Sequence, residues 1–115
     1  MLAASAPAAQ NPAIVYLAGL SAGSRRTMRQ ALNVIAGILT ADACDLRSVP
    51  WGALRFQHAQ AVRSALMEKY SAATANKMLS ALRQTLRAAW SLGYMNAEEY
   101  QRAIDLKPVV GEQPE

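Results

Sequence analysis

Acidic residues are missing from a long central part of this chain. No aspartate or glutamate occurs between Glu68 and Glu98, although four lysines or arginines lie in that interval. Residues 1–95 carry ten basic and three acidic side chains (+7), and residues 96–115 carry two and five (−3), which together give the net charge of +4. Exposed helical faces usually mix the two signs, because pairs of opposite charge one turn apart stabilise a helix. A face of one sign favours a polyanionic partner instead.

Cysteine and histidine are nearly absent as well. The only cysteine is Cys44 and the only histidine is His58, so an internal disulfide is excluded and a reducing, cytoplasmic location is expected. The sequence also contains no Gly-rich phosphate loop, no metal-ligand cluster and no pair of carboxylates suited to acid–base chemistry. We therefore expect no cofactor and no metal, and we interpret the chain as a binding domain and not as an enzyme.

Long apolar runs are lacking too. No stretch approaches the roughly 18 residues needed to span a membrane, so no membrane partner is expected. Residues 1–10 are rich in alanine but lack the basic start and the leucine-rich centre of a signal peptide, which favours a disordered arm. A chain of 115 residues is long enough for one domain with a moderate core.

The residues that are abundant predict an all-α protein. Hydrophobic residues make up 52% of the chain, and many of them are alanine and leucine, which favour helix. Asn11, Ser24, Ser71 and Asn96 each precede an apolar segment of helical spacing and are candidate N-caps. The predicted elements are helices at residues 12–18, 25–39, 55–70, 72–92 and 97–104, a connection at residues 42–50, and a C-terminal linker at residues 107–115.

The fourth predicted helix has the clearest division into two faces, and the chain is organised around it. Its inner, buried face is predicted to consist of Ala75, Met78, Leu79, Leu82, Leu86, Ala89 and Trp90. Its outer face carries three cations and no acid, and consists of Asn76, Lys77, Ser80, Arg83, Gln84 and Arg87. Gly93 is predicted to end this helix in the left-handed conformation.

The second predicted helix is divided in the same way. Three arginines, Arg25, Arg26 and Arg29, lie close to its predicted start on the outer face. They oppose the helix dipole, which favours acids at that end. A phosphate group would compensate them, and helix N-termini themselves attract phosphate. A merely solvated face is the alternative for both helices.

Two of these segments resemble a known family. Residues 23–32 (GSRRTMRQAL) and, more distinctively, residues 74–83 (TANKMLSALR) are similar to the N-terminal core-binding domain of tyrosine recombinases, the phage-integrase family of site-specific recombinases. The ending AAWSLGYM at residues 88–95 and the opening NP at residues 11–12 fit as well, so the resemblance covers residues 11–106.

The resemblance implies a compact, SAM-like bundle of four main helices plus a short C-terminal helix. In that family the second and fourth helices face the major groove of double-stranded DNA, and a larger C-terminal catalytic domain closes the clamp from the opposite side. We accordingly expect three partners: duplex DNA at a recombination site of a mobile element, the protein's own catalytic domain beyond the linker, and other recombinase protomers on the same DNA.

The chemistry of that family needs an Arg-Lys-His-Arg-His/Trp-Tyr set whose tyrosine attacks a scissile phosphate. None of the five partners of this tyrosine can be placed in the sequence. Tyr16, Tyr70, Tyr94 and Tyr100 all lie outside the domain where the nucleophile belongs. The resemblance therefore predicts that this chain contributes DNA binding to DNA integration or recombination, without catalysis.

The residues predicted to contact DNA lie on the second and fourth helices or at their starts. They are Ser24, Arg25, Arg26, Thr27, Arg29, Gln30 and Asn33 on the second, and Ser71, Thr74, Asn76, Lys77, Ser80, Arg83, Gln84 and Arg87 on the fourth. Asn76 and Gln84 are the candidates for contacts with adenine edges. Two other functions remain alternatives: a SAM-like protein-interaction module, which would expose an apolar patch, and a small enzyme built around Cys44 or His58.

Overall fold

The computed structural model describes residues 10–111, and these residues form helices without any strand. The α-helices are α1 (Pro12–Ala18), α2 (Ala22–Thr40), α3 (Phe56–Lys69), α4 (Ala72–Ser91) and α5 (Ala97–Ala103), with a short 3₁₀ helix at Trp51–Ala53 before α3. The predicted all-α class is confirmed. Residues 1–9 of the predicted arm and residues 112–115 of the predicted linker lie outside the described residues.

Helix α4 is the centre of the bundle, because it packs against the other four α-helices and the 3₁₀ helix. Its residues Leu79, Leu82 and Leu86 are completely buried, as their spacing predicts, and so are Leu32 and Ile35 of α2. The two longest helices therefore share one core. Their opposite faces are left to carry other functions.

Three helix starts follow their predicted caps. The Asn11 carboxamide oxygen accepts the N–H groups of Ala13 and Ile14, at 2.8 and 3.2 Å. The Ser71 hydroxyl accepts the Thr74 N–H at the start of α4, and Asn96 forms a reciprocal capping box with Glu99 at the start of α5. Each side chain satisfies a backbone donor that has no partner inside the helix.

Gly93 ends α4 as its sequence position predicts. Its φ of 88° lies in the left-handed region. The next residue, Tyr94, donates its N–H to the Ala89 carbonyl at 2.9 Å, and Gly93 donates to the Trp90 carbonyl at 3.0 Å. This pair of bonds satisfies two of the carbonyls that the end of a helix leaves unpaired.

The start of α2 differs from the prediction. The N-cap is Ser21, whose hydroxyl accepts the Ser24 N–H, so the helix begins three residues earlier than predicted. Arg25 then lies in the second turn and reaches back to α1. Its guanidinium donates to the Leu17 carbonyl at 3.0 Å and to the Leu20 carbonyl at 2.7 Å. Arg25 thereby places a positive charge at the C-terminal end of α1 and donates to carbonyls that lack partners within the helix.

Trp90 is not in the core, contrary to the prediction. Its side chain is 39% exposed and stacks on Tyr100 of α5, with ring centroids 5.0 Å apart. The core tryptophan is Trp51, which is 1% exposed and donates its indole N–H to the Leu46 carbonyl at 2.9 Å. Trp90 lies at the edge of the inner face of α4, and only the short helix α5 is available to cover it there.

The segment after α5 packs on the bundle instead of leaving it. The sequence predicts a linker from residue 107 onward, but Val109 in this segment is only 7% exposed. The Arg63 guanidinium of α3 donates to the carbonyls of Lys107 and Pro108, at 2.7 and 3.0 Å. We call residues 105–111 the C-terminal strap. No described helix is long and apolar enough to cross a membrane.

Candidate nucleic-acid interface

Helices α2 and α4 contact each other, and neither contains an acidic residue. Each carries three cations: Arg25, Arg26 and Arg29 on α2, and Lys77, Arg83 and Arg87 on α4. A surface built from both helices therefore has one sign of charge. The two helices lie about 50 positions apart in the sequence, so their contact arises only on folding.

Four of the predicted DNA contacts use their polar groups inside the protein. Arg25 binds the end of α1, as described above, and the Asn33 carboxamide oxygen accepts the Leu46 N–H at 3.0 Å. Asn76 and Arg83 both hold the C-terminal strap. All four side chains thus stabilise the fold: Arg25 binds the end of a helix, and the other three hold connecting or terminal segments in place.

The contact of Asn76 with the strap is reciprocal. Its amide nitrogen donates to the Val109 carbonyl and its amide oxygen accepts the Val109 N–H, both at 2.8 Å. Arg83 lies farther along α4 and donates to the Leu106 carbonyl at 3.0 Å. An asparagine in this state has no amide group available for an adenine edge, so Gln84 is the remaining candidate of that pair.

Four cations of the two helices are exposed and unpaired. Arg26, Arg29, Lys77 and Arg87 make no ion pair or side-chain hydrogen bond with any residue between 10 and 111. The ion pairs among the described residues are Arg55–Glu99 and Arg102–Glu98, and both involve α5. The cationic surface of α2 and α4 is therefore not neutralised by the protein itself. We call it the basic face and define it by Arg26, Arg29, Lys77 and Arg87.

Neutral polar side chains surround these cations. The exposed ones among the predicted contacts are Ser24, Thr27, Gln30, Asn33, Ser71, Thr74, Ser80 and Gln84. Thr27 donates its hydroxyl to the Gly23 carbonyl at 3.3 Å, and Ser71 donates its hydroxyl to Thr74 at 3.1 Å. The amides of Gln30 and Gln84 and the hydroxyl of Ser80 have no partner among residues 10–111. Donors and acceptors are thus available beside the charges.

A cleft of about 240 Å³ separates α2 from α4 at the basic face. We call it the α2–α4 groove. Predicted site residues from both helices line it, namely Thr27 and Gln30 from α2 and Thr74 and Lys77 from α4. Its lining also includes the apolar side chains of Val34 and Tyr70, which the sequence does not assign to a site.

A cavity outside the basic face has two arginines in its lining, of which one is already engaged. It has a volume of about 750 Å³ and lies beside Trp51, with Arg47 and Arg55 in its lining. The Arg55 guanidinium is already bound by the carbonyls of Gly52 and Leu54 and by Glu99. The basic face is consequently the better candidate for a polyanion.

The residues considered for metal binding or catalysis lie apart from the basic face. Between residues 10 and 111 no group of three His, Cys, Asp or Glu side chains is arranged to hold a metal ion. The His58 Nδ1 accepts the Arg55 N–H at 2.9 Å, so His58 contributes to the N-terminal cap of α3. Burial raises the pKa of the Tyr16 phenol above its usual value of 10.0, which disfavours its ionisation.

No protein-family model, no curated protein and no solved structure matches this chain. The likeness to tyrosine recombinases accordingly depends on the residues of the two segments on α2 and α4.

Proposed function

We propose that this chain binds double-stranded DNA through the basic face, as the non-catalytic N-terminal half of the clamp of a tyrosine site-specific recombinase. One observation carries the DNA-binding part of the proposal: four exposed, unpaired cations lie on two neighbouring helices that contain no acid. Unpaired lysines and arginines on one surface are the electrostatic signature of a phosphate-binding protein.

The spacing of the cations suits a phosphate backbone. Lys77 and Arg87 are ten positions apart on α4, which corresponds to about 15 Å along the helix axis. Successive phosphates of one DNA strand advance by about 3.4 Å along the duplex axis, so this distance covers about four of them. Arg26 and Arg29 are one turn apart on α2 and would contact phosphates from that helix.

The recombinase part of the proposal comes from the resemblance of residues 23–32 and 74–83. It assigns to the chain the role of holding a recombination site, while a separate catalytic domain cuts and rejoins the strands. Other recombinase protomers on the same DNA complete the assembly. Ser80 and Gln84, which are exposed between Lys77 and Arg87, are the residues of α4 best placed to contact base edges.

The alternative of a protein-interaction module predicts a continuous apolar patch. Phe56 and Met67 are each 44% exposed, but they are about 16 Å apart along α3. The exposed Trp90 has one ring face against Tyr100. Val110, the remaining exposed large apolar side chain among residues 10–111, lies on the C-terminal strap. The unpaired cations, by contrast, belong to two neighbouring helices without an acid, so DNA binding is the better supported function.

The decisive test is the salt dependence of binding to a fluorescently labelled duplex, followed by anisotropy. Four phosphate contacts release about four sets of condensed counterions, so the log–log slope of affinity against salt should be about −3 to −4. Arg29→Ala, Lys77→Ala and Arg87→Ala should each flatten that slope by about one unit. A titration at low ionic strength is the most sensitive, because half of a clamp lacks the contacts of the other half.

The matched control is Arg102→Ala. Arg102 is an exposed helical arginine like Arg29, but it is paired with Glu98 on α5, away from the basic face. The control should keep the slope of the unmodified protein. Salt-independent affinity, or equal effects of Arg102→Ala and Arg29→Ala, would show that the basic face does not bind DNA.

A further inference from the structure

The α2–α4 groove has a composition that phosphate binding alone does not require. Its floor is apolar and consists of Met28 and Val34 from α2, Tyr70 before α4, and Met78 from α4. Met78 is almost buried, whereas Met28, Val34 and Tyr70 remain partly accessible. Apolar surface left in contact with water gains none of the free energy of burial, and its position beside Lys77 suits a ligand that is partly apolar.

The rim of the groove offers polar groups of two kinds. Lys77 supplies a positive charge, and Gln30 supplies an amide with one acceptor and two donor hydrogens, none of them used within residues 10–111. Thr27 and Thr74 have hydroxyls that are already engaged in local hydrogen bonds. The available polar chemistry is therefore one amide and one cation beside an apolar floor.

Among the surfaces of duplex DNA, the major-groove edge of an A·T pair matches this combination. Thymine is the only base that presents a methyl group there, and adenine presents an acceptor beside a donor that a glutamine amide can pair with in two hydrogen bonds. A G·C pair has no methyl group, and a phosphate has no apolar part.

We propose that the α2–α4 groove recognises an A·T base pair, with the thymine methyl group against Val34 and Met28 and the Gln30 amide paired with adenine. This inference rests on the proposed DNA binding and adds the base pair that the basic face selects. The cations of the basic face bind the phosphates, which carry no sequence information. The α2–α4 groove adds selectivity for an A·T base pair.

The test replaces thymine by uracil, which differs only in lacking the methyl group. Alternating d(A–T), d(A–U) and d(G–C) duplexes of equal length are titrated with the full chain over a series of salt concentrations, and their affinities are compared at the lowest of them. The affinity for d(A–U) should be about fourfold lower than for d(A–T), the factor that burial of one methyl-sized group provides. The affinity for d(G–C) should be lower again, because Gln30 then loses its adenine contact as well.

Two variants connect the effect to the groove. Val34→Ala should bring the d(A–T) to d(A–U) ratio towards one, and Gln30→Ala should reduce the preference for d(A–T) over d(G–C) while leaving the salt slope unchanged. Val15→Ala, a partly buried valine of α1 outside the groove, is the control and should keep both ratios.

The outcomes separate this inference from the proposed function. Equal affinities for d(A–T) and d(A–U) with a steep salt slope would overturn the inference alone, and so would a ratio that Val34→Ala leaves unchanged. Absence of binding to all three duplexes would overturn both. The comparison of duplexes uses the unmodified protein, so it does not depend on whether a variant folds.

Discussion

Thr85 is a polar residue in an apolar position. It lies on the inner face of α4 with no exposed surface, and its hydroxyl has no hydrogen-bond partner among the described residues. A buried hydroxyl without a partner costs free energy relative to its hydrated state in the unfolded chain. The centre of this core therefore contains a group that does not stabilise it.

Replacing Thr85 with valine should stabilise the protein. Valine keeps the shape of the side chain and removes the unsatisfied group, so Thr85→Val should raise the free energy of unfolding by about 1 kcal/mol. Urea denaturation measures the change. Thr27→Val on the exposed side of α2 is the control and should stay within about 0.5 kcal/mol of the unmodified protein. A loss of stability on Thr85→Val would mean that the hydroxyl finds a partner in solution.

Asn76 shows what a residue on the outer face of a helix does when another segment covers it. Its amide is the only side-chain partner of the Val109 backbone among residues 10–111, and both of its hydrogen bonds measure 2.8 Å. Helical periodicity places Asn76 correctly outside the core of α4. It cannot indicate that a segment 33 positions later lies across that face.

At the scale of elements, the C-terminal strap should contribute measurably to stability. Asn76→Ala leaves the Val109 N–H and carbonyl without partners, so it should lower the free energy of unfolding by about 1–3 kcal/mol. Ser80→Ala, one turn along the same helix at an exposed position without a hydrogen bond to the strap, is the matched control and should change the free energy of unfolding by less than about 0.5 kcal/mol. An effect of Asn76→Ala as small as that of the control would show that the strap is undocked in solution.

The helix starts show how far local sequence determines the elements. Asn11, Ser71 and Asn96 were predictable as caps because each is the only suitable residue before its apolar segment. The start of α2 was not, since Ser21 and Ser24 are both suitable and Gly23 between them resembles a break. The structure selects Ser21, and the earlier start lets Arg25 reach the carbonyls at the end of α1. A tertiary contact thus distinguishes two starts that local propensity leaves nearly equal.

At the scale of the whole molecule, charge is separated between two regions. The basic face of α2 and α4 carries unpaired cations, whereas α5 and its surroundings contain Glu98, Glu99 and Asp105. An uneven field of this kind orients an approaching polyanion before contact. DNA should therefore meet the basic face first and the α5 region last, and the salt titration with Arg29→Ala and Arg102→Ala tests that orientation.

The candidate site could be predicted in part. The sequence was sufficient to find the two acid-free helices and the face of each that points away from the core. It was not sufficient to show which polar side chains on those faces are already occupied, because the partners of Arg25, Asn33, Asn76 and Arg83 are in distant or irregular segments. The α2–α4 groove was also hidden, because its lining comes from two helices and from Tyr70 between α3 and α4, and these residues meet only on folding.

The different environments of Trp51 and Trp90 give the molecule two distinguishable fluorophores. Trp51 is 1% exposed and Trp90 is 39% exposed, so iodide ions should quench the emission of Trp90 while the emission of Trp51 persists. Trp90→Phe should remove the quenchable component and leave the other. If iodide quenched both equally in the folded protein, the buried position assigned to Trp51 would be wrong. Trp90 stacks on α5, whereas Trp51 lies in the core. The fluorescence lifetimes of the two tryptophans, followed through a denaturant titration, would therefore distinguish detachment of α5 from unfolding of the whole bundle.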